Sequence, residues 1–460
     1  MITVKDILKI ADIKFKYANI DENTSFSSVV IDSRKVTPGC LFIAIKGAKF
    51  DGHDFISEVL EKGAGCVVVK KTRFSTFASN GAPVIGAPDT VTALGSIAGA
   101  WRDNLGATII GITGSNGKTT TKDMVATILS TKYRTVATTA NNNNHIGVPL
   151  TLFEAGAQTE FVVCEIGTNH FGEIRYSANI AKPDIATITN IGDSHLEFLI
   201  DRRGVKTEKE ALLQVTVARG GKVILDCDDK FLNRMVRIYP DAVTVSMRRP
   251  KEVTGKILNY SEAGLPLMKI ESGGKSVKFE LGLYGKKNCD NALIAAAIAL
   301  QCGMTLAEIG EGFKNVKAPK GRMNRTTHNG FDILDDTYNA NPESMKSAFW
   351  AVRNDLIHER KIAILGDMFE LGENAVQMHI DLMTGIKLGK FHTVFLTGKH
   401  MKHLYAELKK QGITAAHFAT KEKMIEMLAN YDLRNSLILV KGSRGMQMEV
   451  IVNYLKEKGI

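Results

Sequence analysis

Short apolar runs separated by amphipathic stretches dominate the pattern of this 460-residue chain. Runs at residues 28–31, 40–45 and 66–69 predict strands in the first hundred positions, with turns marked by Thr37-Pro38-Gly39 and Asp51-Gly52. From about residue 96 the runs at 107–110, 161–164, 185–189 and 222–225 are nearly continuous in apolar character. That is the signature of a parallel sheet covered by helices on both faces. Helical spacing over 121–129 and an alanine-rich stretch over 291–301 predict two of the covering helices. Residues 252–284 alternate polar and apolar around glycine turns and predict an antiparallel insert. After Pro319-Lys320-Gly321-Arg322, runs at 331–334, 361–365, 393–396 and 437–440 with helical patterns between them predict a second doubly wound sheet. The expectation is an α/β protein of three domains. Residues 1–95 form a small N-terminal α/β module, 96–318 a central domain with a mostly parallel sheet, and 319–460 a C-terminal Rossmann-like, doubly wound sheet.

Composition narrows the class. Hydrophobic residues make up 44% and charged residues 23%, ordinary for a soluble globular protein. Residues 1–17 mix Lys and Asp with apolar positions, which is not a signal-peptide pattern. The longest apolar run, 292–300, is far short of the roughly 20 residues that span a bilayer. A cytoplasmic location with no membrane span is expected. Six cysteines without a C-x-x-C pair read as free thiols. The formal charge of +10 is dispersed rather than gathered into a stripe with interleaved aromatics. Anionic small substrates account for it as well as nucleic acid would, because a basic cleft concentrates them.

The most informative segment is Gly111-Ile112-Thr113-Gly114-Ser115-Asn116-Gly117-Lys118-Thr119-Thr120, which follows a β-branched run and opens a helical pattern. Strand, glycine turn and helix start make an anion cradle, with backbone N–H groups turned inward and the helix N-terminus adding positive potential. Gly114 to Thr120 are the predicted nucleotide-binding residues. Lys118 is expected to reach the β/γ-phosphates, and the Thr119 hydroxyl to hold Mg²⁺. The general phosphate loop has glycine where Ile112 stands, so this is a variant form.

Four further segments fall at predicted strand ends, where open α/β sheets place ligands. Glu165 in Glu165-Ile166-Gly167-Thr168-Asn169-His170 is either a Mg²⁺ or water ligand or a solvated loop carboxylate. His195 in Asn190-Ile191-Gly192-Asp193-Ser194-His195 is either a metal or phosphate contact or structural. Asp335-Asp336-Thr337-Tyr338-Asn339-Ala340-Asn341-Pro342 is a dense polar cluster suited to an ammonium or ribose, an Asx cap for the next helix, or both. Lys441-Gly442-Ser443-Arg444-Gly445 is a glycine turn able to receive a carboxylate, or a plain loop.

These residues resemble the Mur ligase family over essentially the whole chain. The loop Thr113-Gly114-Ser115-Asn116-Gly117-Lys118-Thr119 is similar to that family's variant, the missing early glycine included. Asp32-Ser33-Arg34, Pro38-Gly39-Cys40-Leu41-Phe42 and Asp51-Gly52-His53 resemble the module holding a uridine nucleotide, which implicates Ser33 and Arg34. Asn143 and Asn144, in Asn143-Asn144-His145-Ile146-Gly147-Val148-Pro149, resemble the central substrate segment. The resemblance further implies Glu165 and His195 as Mg²⁺ ligands, Asn288 and Asn291 as the adenine pair, and Arg322 and Asp336 as residues closing over the nucleotide. In Gly204-Val205-Lys206-Thr207-Glu208-Lys209 it implies Lys209 as a carbamylated lysine helping to bind a second Mg²⁺. Lys118, Lys209 and His195 are thus the implied catalytic residues, and Thr119, Glu165, His195 and Lys209 the metal set. Tyr338, Asn339 and Asn341, Asp367 in Leu365-Gly366-Asp367-Met368, and Gly442 and Ser443 resemble the branch that adds D-alanyl-D-alanine.

The implied activity is ATP-dependent amide formation, joining D-alanyl-D-alanine to UDP-N-acetylmuramoyl-tripeptide through an acyl phosphate during peptidoglycan precursor synthesis. The implied cofactors are ATP and two Mg²⁺ ions, and the implied state is a monomer. The alternative is a sister ligase adding a single amino acid or glutamate. A nucleotide-gated switch and a basic nucleic-acid binder are the rivals from other classes, and the dispersed charge disfavours the last.

Overall fold

The computed structural model describes residues 1–47, 49–140, 142–194 and 196–457. Contacts divide the chain into two compact units. One comprises residues 1–113, 132–187 and 208–223, the other 114–131, 188–207 and 224–460.

The first unit opens with a five-stranded sheet in the order Lys16–Ala18, Val84–Ala87, Cys66–Lys70, Leu41–Ile43, Val29–Val30. Neighbours are parallel except at the edge, where Lys16–Ala18 runs antiparallel to Val84–Ala87. The central runs Leu41–Ile43 and 66–69 are apolar at every position because both faces are buried. Phe42, Val67 and Val69 on one face pack with Ile56 and Val59 of the helix Ile56–Glu61. The helix Thr90–Asp103, capped by Asp89 through the Thr92 N–H at 2.7 Å, carries the chain onward. In the sheet that follows, Thr108–Thr113 lies between Phe161–Glu165 and Ile185–Ile188, with Thr135–Ala137 outside Phe161–Glu165. The registers Ile110↔Val163 and Val163↔Ala137 are parallel.

In the second unit, Val243–Ser246 continues in parallel from the end of Lys222–Asp226. The alternating stretch forms the antiparallel meander Val253–Tyr260, Pro266–Ser272, Lys275–Glu280, as its period of two predicts. Helix Lys286–Gln301 buries its alanines from Ala292 to Ala299 and packs closely on helix Lys118–Leu129.

The C-terminal sheet has the order Asn324–His328, Phe331–Asp336, Ser436–Lys441, Arg360–Gly366, Thr393–Thr397, Ala415–Phe418, all parallel except the first. Alternate residues feed two cores. Leu334, Leu365, Leu396 and Leu439 meet helices Pro342–Arg353, Leu382–Gly389 and Met401–Lys410 on one face. Ile333, Ile364, Phe395 and Ile438 meet Lys421–Ala429 and Glu449–Glu457 on the other. Ser436–Lys441, last in sequence, inserts between Phe331–Asp336 and Arg360–Gly366, and this reversal of strand order creates a topological switch point. Among the described residues no helix is long and apolar enough to cross a membrane, and all six cysteines are free, five of them buried.

Candidate active site

Strand Thr108–Thr113 ends where the phosphate loop begins, and helix Lys118–Leu129 starts from Gly117 as its N-cap at φ +81°. Two glycines of the loop are obligatory on steric grounds. At Gly114, with φ +151°, a Cβ would stand 1.9 Å from Thr189 Oγ1. At Gly117 it would stand 2.5 Å from Asn291 Oδ1. Much of the loop is tied to residues 189–194. The Ser115 N–H donates to the Asn190 carbonyl at 3.0 Å. The Asn116 N–H donates to Asn190 Oδ1 at 3.1 Å, and Asn190 Nδ2 returns a bond to the Asn116 carbonyl at 2.8 Å. Ser115 Oγ accepts from the Gly192 N–H at 2.9 Å and from Ser194 Oγ at 3.0 Å. The Asn190-to-Ser194 stretch, singled out in the sequence for its histidine, thus acts as the scaffold of the phosphate cradle. His195 itself lies outside the described residues.

Lys118 Nζ donates to the Gly114 carbonyl at 2.8 Å, which lays the ammonium across the loop. Thr119 Oγ1 accepts from Arg322 Nη2 at 3.3 Å, and the Arg322 guanidinium stacks 4.2 Å from the Tyr338 ring centroid. Thr120 is buried one position further along the helix. Asn291 Nδ2 donates to Asn288 Oδ1 at 3.2 Å, and Asn288 Nδ2 to the Tyr284 carbonyl at 2.7 Å. The predicted adenine pair therefore stands beside Gly117.

Asn341 caps helix Pro342–Arg353, accepting from the Ser344 N–H at 2.9 Å, with Pro342 in the first turn. Its Nδ2 also donates to Asn116 Oδ1 at 2.7 Å, so the Asx cap expected from sequence and a contact with the phosphate loop coexist. The loops at the switch point converge as well. Lys441 Nζ lies 2.6 Å from Asp336 Oδ2 and 3.0 Å from the Asn339 carbonyl. The Ser443 N–H donates to the Asp367 carbonyl at 3.0 Å, and Ser443 Oγ to the Ala340 carbonyl at 3.2 Å. At Gly442 a Cβ would come within 2.7 Å of Met448 Cγ. The Asp367 carboxylate is committed to a helix start, accepting from the His400 N–H at 3.1 Å and the Met401 N–H at 2.8 Å.

In the first unit, Glu165 ends its strand 2% exposed. Its Oε1 accepts from Asn143 Nδ2 at 2.8 Å, while its Oε2 is buried without a hydrogen-bond partner. A buried carboxylate oxygen left unsatisfied is costly, and a hard divalent cation such as Mg²⁺ would satisfy it. Among the described residues no group of three His, Cys, Asp or Glu side chains is placed to hold a metal on its own. Asn144 Oδ1 accepts from the Ile146 and Gly147 N–H groups, at 3.1 and 2.9 Å, and starts the helix Gly147–Phe153. Lys209 is 1% exposed in helix Arg202–Ala218. Ser33 and Arg34 form a 3₁₀ turn capped by Asp32. Arg34 pairs with both Asp32 oxygens at 2.9 and 2.7 Å, and this guanidinium holds the Asp32 carboxyl down to about 2.

Sequence reasoning missed several participants. Glu208 accepts from the Gly172 and Ile174 N–H groups, at 2.8 and 2.7 Å, and so fastens the loop following Glu165. Asp229 accepts from the Ile191 N–H at 2.9 Å and supports the cradle's scaffold. Asp226, at the end of its strand, is pushed up to about 7 by burial, with Asp290 and Asp228 adding like-charge repulsion. The run Asp226-Cys227-Asp228-Asp229 directly after an apolar strand was the available signal.

Three family descriptions match along the chain: "Mur ligase family, catalytic domain" over residues 25–102, "Mur ligase middle domain" over 112–299, and "Mur ligase, glutamate ligase domain" over 321–444. The chain is 33% identical to a UDP-N-acetylmuramoyl-tripeptide–D-alanyl-D-alanine ligase of Bacillus subtilis, covering 99% of this chain and 98% of that protein. It is 34% identical to the protein of the same name from Buchnera aphidicola, over 95% and 94% of the two chains. A crystal structure of MurF from Acinetobacter baumannii superposes with a TM-score of 0.86 at 28% identity, with 99% of each chain covered. MurF ligase from Thermotoga maritima in complex with ADP gives 0.80 at 26% identity, over 94% and 97% of the chains.

Proposed function

This chain belongs to the Mur ligase family, and we propose that it is the member that joins D-alanyl-D-alanine to UDP-N-acetylmuramoyl-tripeptide at the expense of ATP. The observation that carries this reading is the variant phosphate loop, with Gly114 and Gly117 fixed by Thr189 and Asn291 and Lys118 laid across the turn. ADP in the Thermotoga maritima relative supports ATP as the nucleotide.

A carboxylate is a poor electrophile, so the terminal carboxyl of the tripeptide must be activated before an amine can attack. Transfer of the γ-phosphoryl group from ATP to that carboxylate gives an acyl phosphate and ADP. The free amine of D-alanyl-D-alanine then attacks the acyl carbon, and phosphate leaves. Lys118 and the amides at the start of helix Lys118–Leu129 neutralise charge on the phosphoryl oxygens, the main catalytic need in such transfers. Asn288 and Asn291 hold the adenine, and Arg322 and Asp336 act at the nucleotide. Exclusion of water protects the acyl phosphate from hydrolysis.

Mg²⁺ suits the orphaned Glu165 Oε2, which is a hard oxygen ligand, and the Thr119 hydroxyl is proposed as a further oxygen donor of the same chemistry. The ion would supply further charge neutralisation at the phosphates. His195 completes the proposed ligands, with Lys209 as a carbamate, which turns a buried cation into a metal-binding anion. Ser33 and Arg34 serve the uridine end of the substrate, Asn143 and Asn144 its central part. Tyr338, Asn339, Asn341, Asp367, Gly442 and Ser443 serve the dipeptide. The corresponding division of labour follows residues 1–95, 96–318 and 319–460, and the proposed active species is a cytoplasmic monomer.

The test is phosphate release with ATP, UDP-N-acetylmuramoyl-tripeptide and D-alanyl-D-alanine, each omitted in turn. Release is expected only with all three present. Release that ignores the dipeptide, or that prefers a single amino acid, would overturn the assignment.

A further inference from the structure

Beside the phosphate loop lies an ion network that the proposed mechanism does not use. Arg202, first residue of helix Arg202–Ala218, donates through Nε to Asp193 Oδ1 at 2.7 Å and pairs through Nη2 with the second Asp193 oxygen. The same Nη2 lies 3.7 Å from Glu343 Oε1. Glu343 in turn accepts from Asn116 Nδ2 of the phosphate loop at 3.3 Å. Its carboxylate also crowds the scaffold, since a Cβ on Gly192 would stand 2.9 Å from Glu343 Oε2. Two carboxylates thus flank a loop built to receive an anion. Asp193 is one residue past Gly192, and Glu343 touches Asn116 directly. A nucleoside triphosphate entering the cradle would meet both as like charges. Asp193 and Glu343 both raise the pKa of Arg202, the hydrogen bond it donates to Asp193 being the largest cause, so the guanidinium stays charged between them.

We infer that Arg202 is a positioning residue for the nucleotide: it holds Asp193 and Glu343 in place and cancels their charge, keeping the cradle open to a triphosphate. The inference rests on the reading of this loop as an ATP site. It assigns a nucleotide-affinity role to an ion network outside the residues proposed to hold the phosphates.

The test is direct nucleotide binding, by calorimetry with Mg-ATP and with ADP, together with KM and kcat for phosphate release. Arg202→Ala is expected to weaken ATP binding by about tenfold, the scale of charge pairs near an interface. The loss should fall on KM more than on kcat, affect ATP more than ADP, and shrink as ionic strength rises. Arg202→Lys should recover part of it. The decisive variant is Arg202→Ala with Glu343→Gln, which removes one uncompensated charge and should bind ATP more tightly than Arg202→Ala alone. Wild-type affinity in Arg202→Ala, or a double variant no better than the single one, overturns the inference while the wild type still binds ATP. A wild type that binds neither nucleotide overturns the parent reading as well. Thermal unfolding of each variant separates these outcomes from loss of fold, and Arg202→Lys remains a test where Arg202→Ala is unstable.

Discussion

Lys441 reaches Asp336 across 2.6 Å where the lysine is 1% and the aspartate 9% exposed. Two charges this deep are worth little as a pair, but either alone is expensive. The carboxylate at the end of one strand is thereby fixed by the ammonium at the end of its neighbour, and the switch point keeps its shape. Lys441→Met is expected to destabilise the chain by about 3–5 kcal/mol, because Asp336 is left buried and unpaired. Lys441→Met with Asp336→Leu should regain most of that loss in chemical denaturation. A double variant no more stable than the single one would contradict this account.

The phosphate loop makes the sharpest steric prediction. Gly114→Ala would bring a Cβ to 1.9 Å from Thr189 Oγ1 at a backbone angle of φ +151°. ATP binding measured by calorimetry should fall below detection, with only a modest change in thermal stability. Thr189→Ala in the same background removes the hydroxyl but not the backbone angle, so partial recovery at most is expected.

Much of this was legible in the chain because its signals are local. The strand–turn–helix at Gly111 to Thr120, the four apolar runs of the C-terminal sheet and the Asn341-Pro342 cap each depend on neighbours within a few residues. The strands Thr135–Ala137, Val243–Ser246 and Ala415–Phe418 are too short for their periodicity to stand out from the sequence. What the sequence hid is long-range. Nothing near Asp367 announces that its carboxylate caps a helix beginning at Met401, and nothing near Glu208 points to Gly172. Those roles come from the crossing of distant segments.

Asp226 supplies a prediction in pH. Its carboxyl is pushed from an ordinary 3.8 up to about 7 by burial. Between those values the folded chain holds a proton that the unfolded chain has released, so stability falls as pH rises. The contribution is full below about 4 and is lost by about 7, with a size of up to about 4 kcal/mol. Asp226→Asn, which keeps the acceptor for the Asp228 N–H, should flatten that slope and exceed wild-type stability at pH 8. Urea midpoints between pH 4 and 8 would show it. A variant that retains the wild-type slope would remove Asp226 as the source.

Lys209 and Glu165 make a metal prediction. Phosphate release should cease on chelation and return with Mg²⁺. Glu165→Gln should raise the Mg²⁺ concentration needed by at least about tenfold, since losing a group that merely orients a metal ligand already reaches that scale. Lys209→Ala should abolish activity, with partial return on adding formate or acetate as a substitute for the carbamate. Full activity of Lys209→Ala in bicarbonate-free buffer would refute the carbamate.

Asn116 and Asn341 bond across 2.7 Å although 225 positions separate them along the chain. On a ribosome, which adds roughly 5–20 residues each second, the amide of the phosphate loop waits on the order of ten to forty-five seconds for its partner to be made. A nascent chain halted before residue 341 would therefore carry a phosphate loop lacking one of its anchors. Completion of the phosphate loop's scaffold thereby becomes a late event in the birth of this protein, timed by about the last quarter of its message.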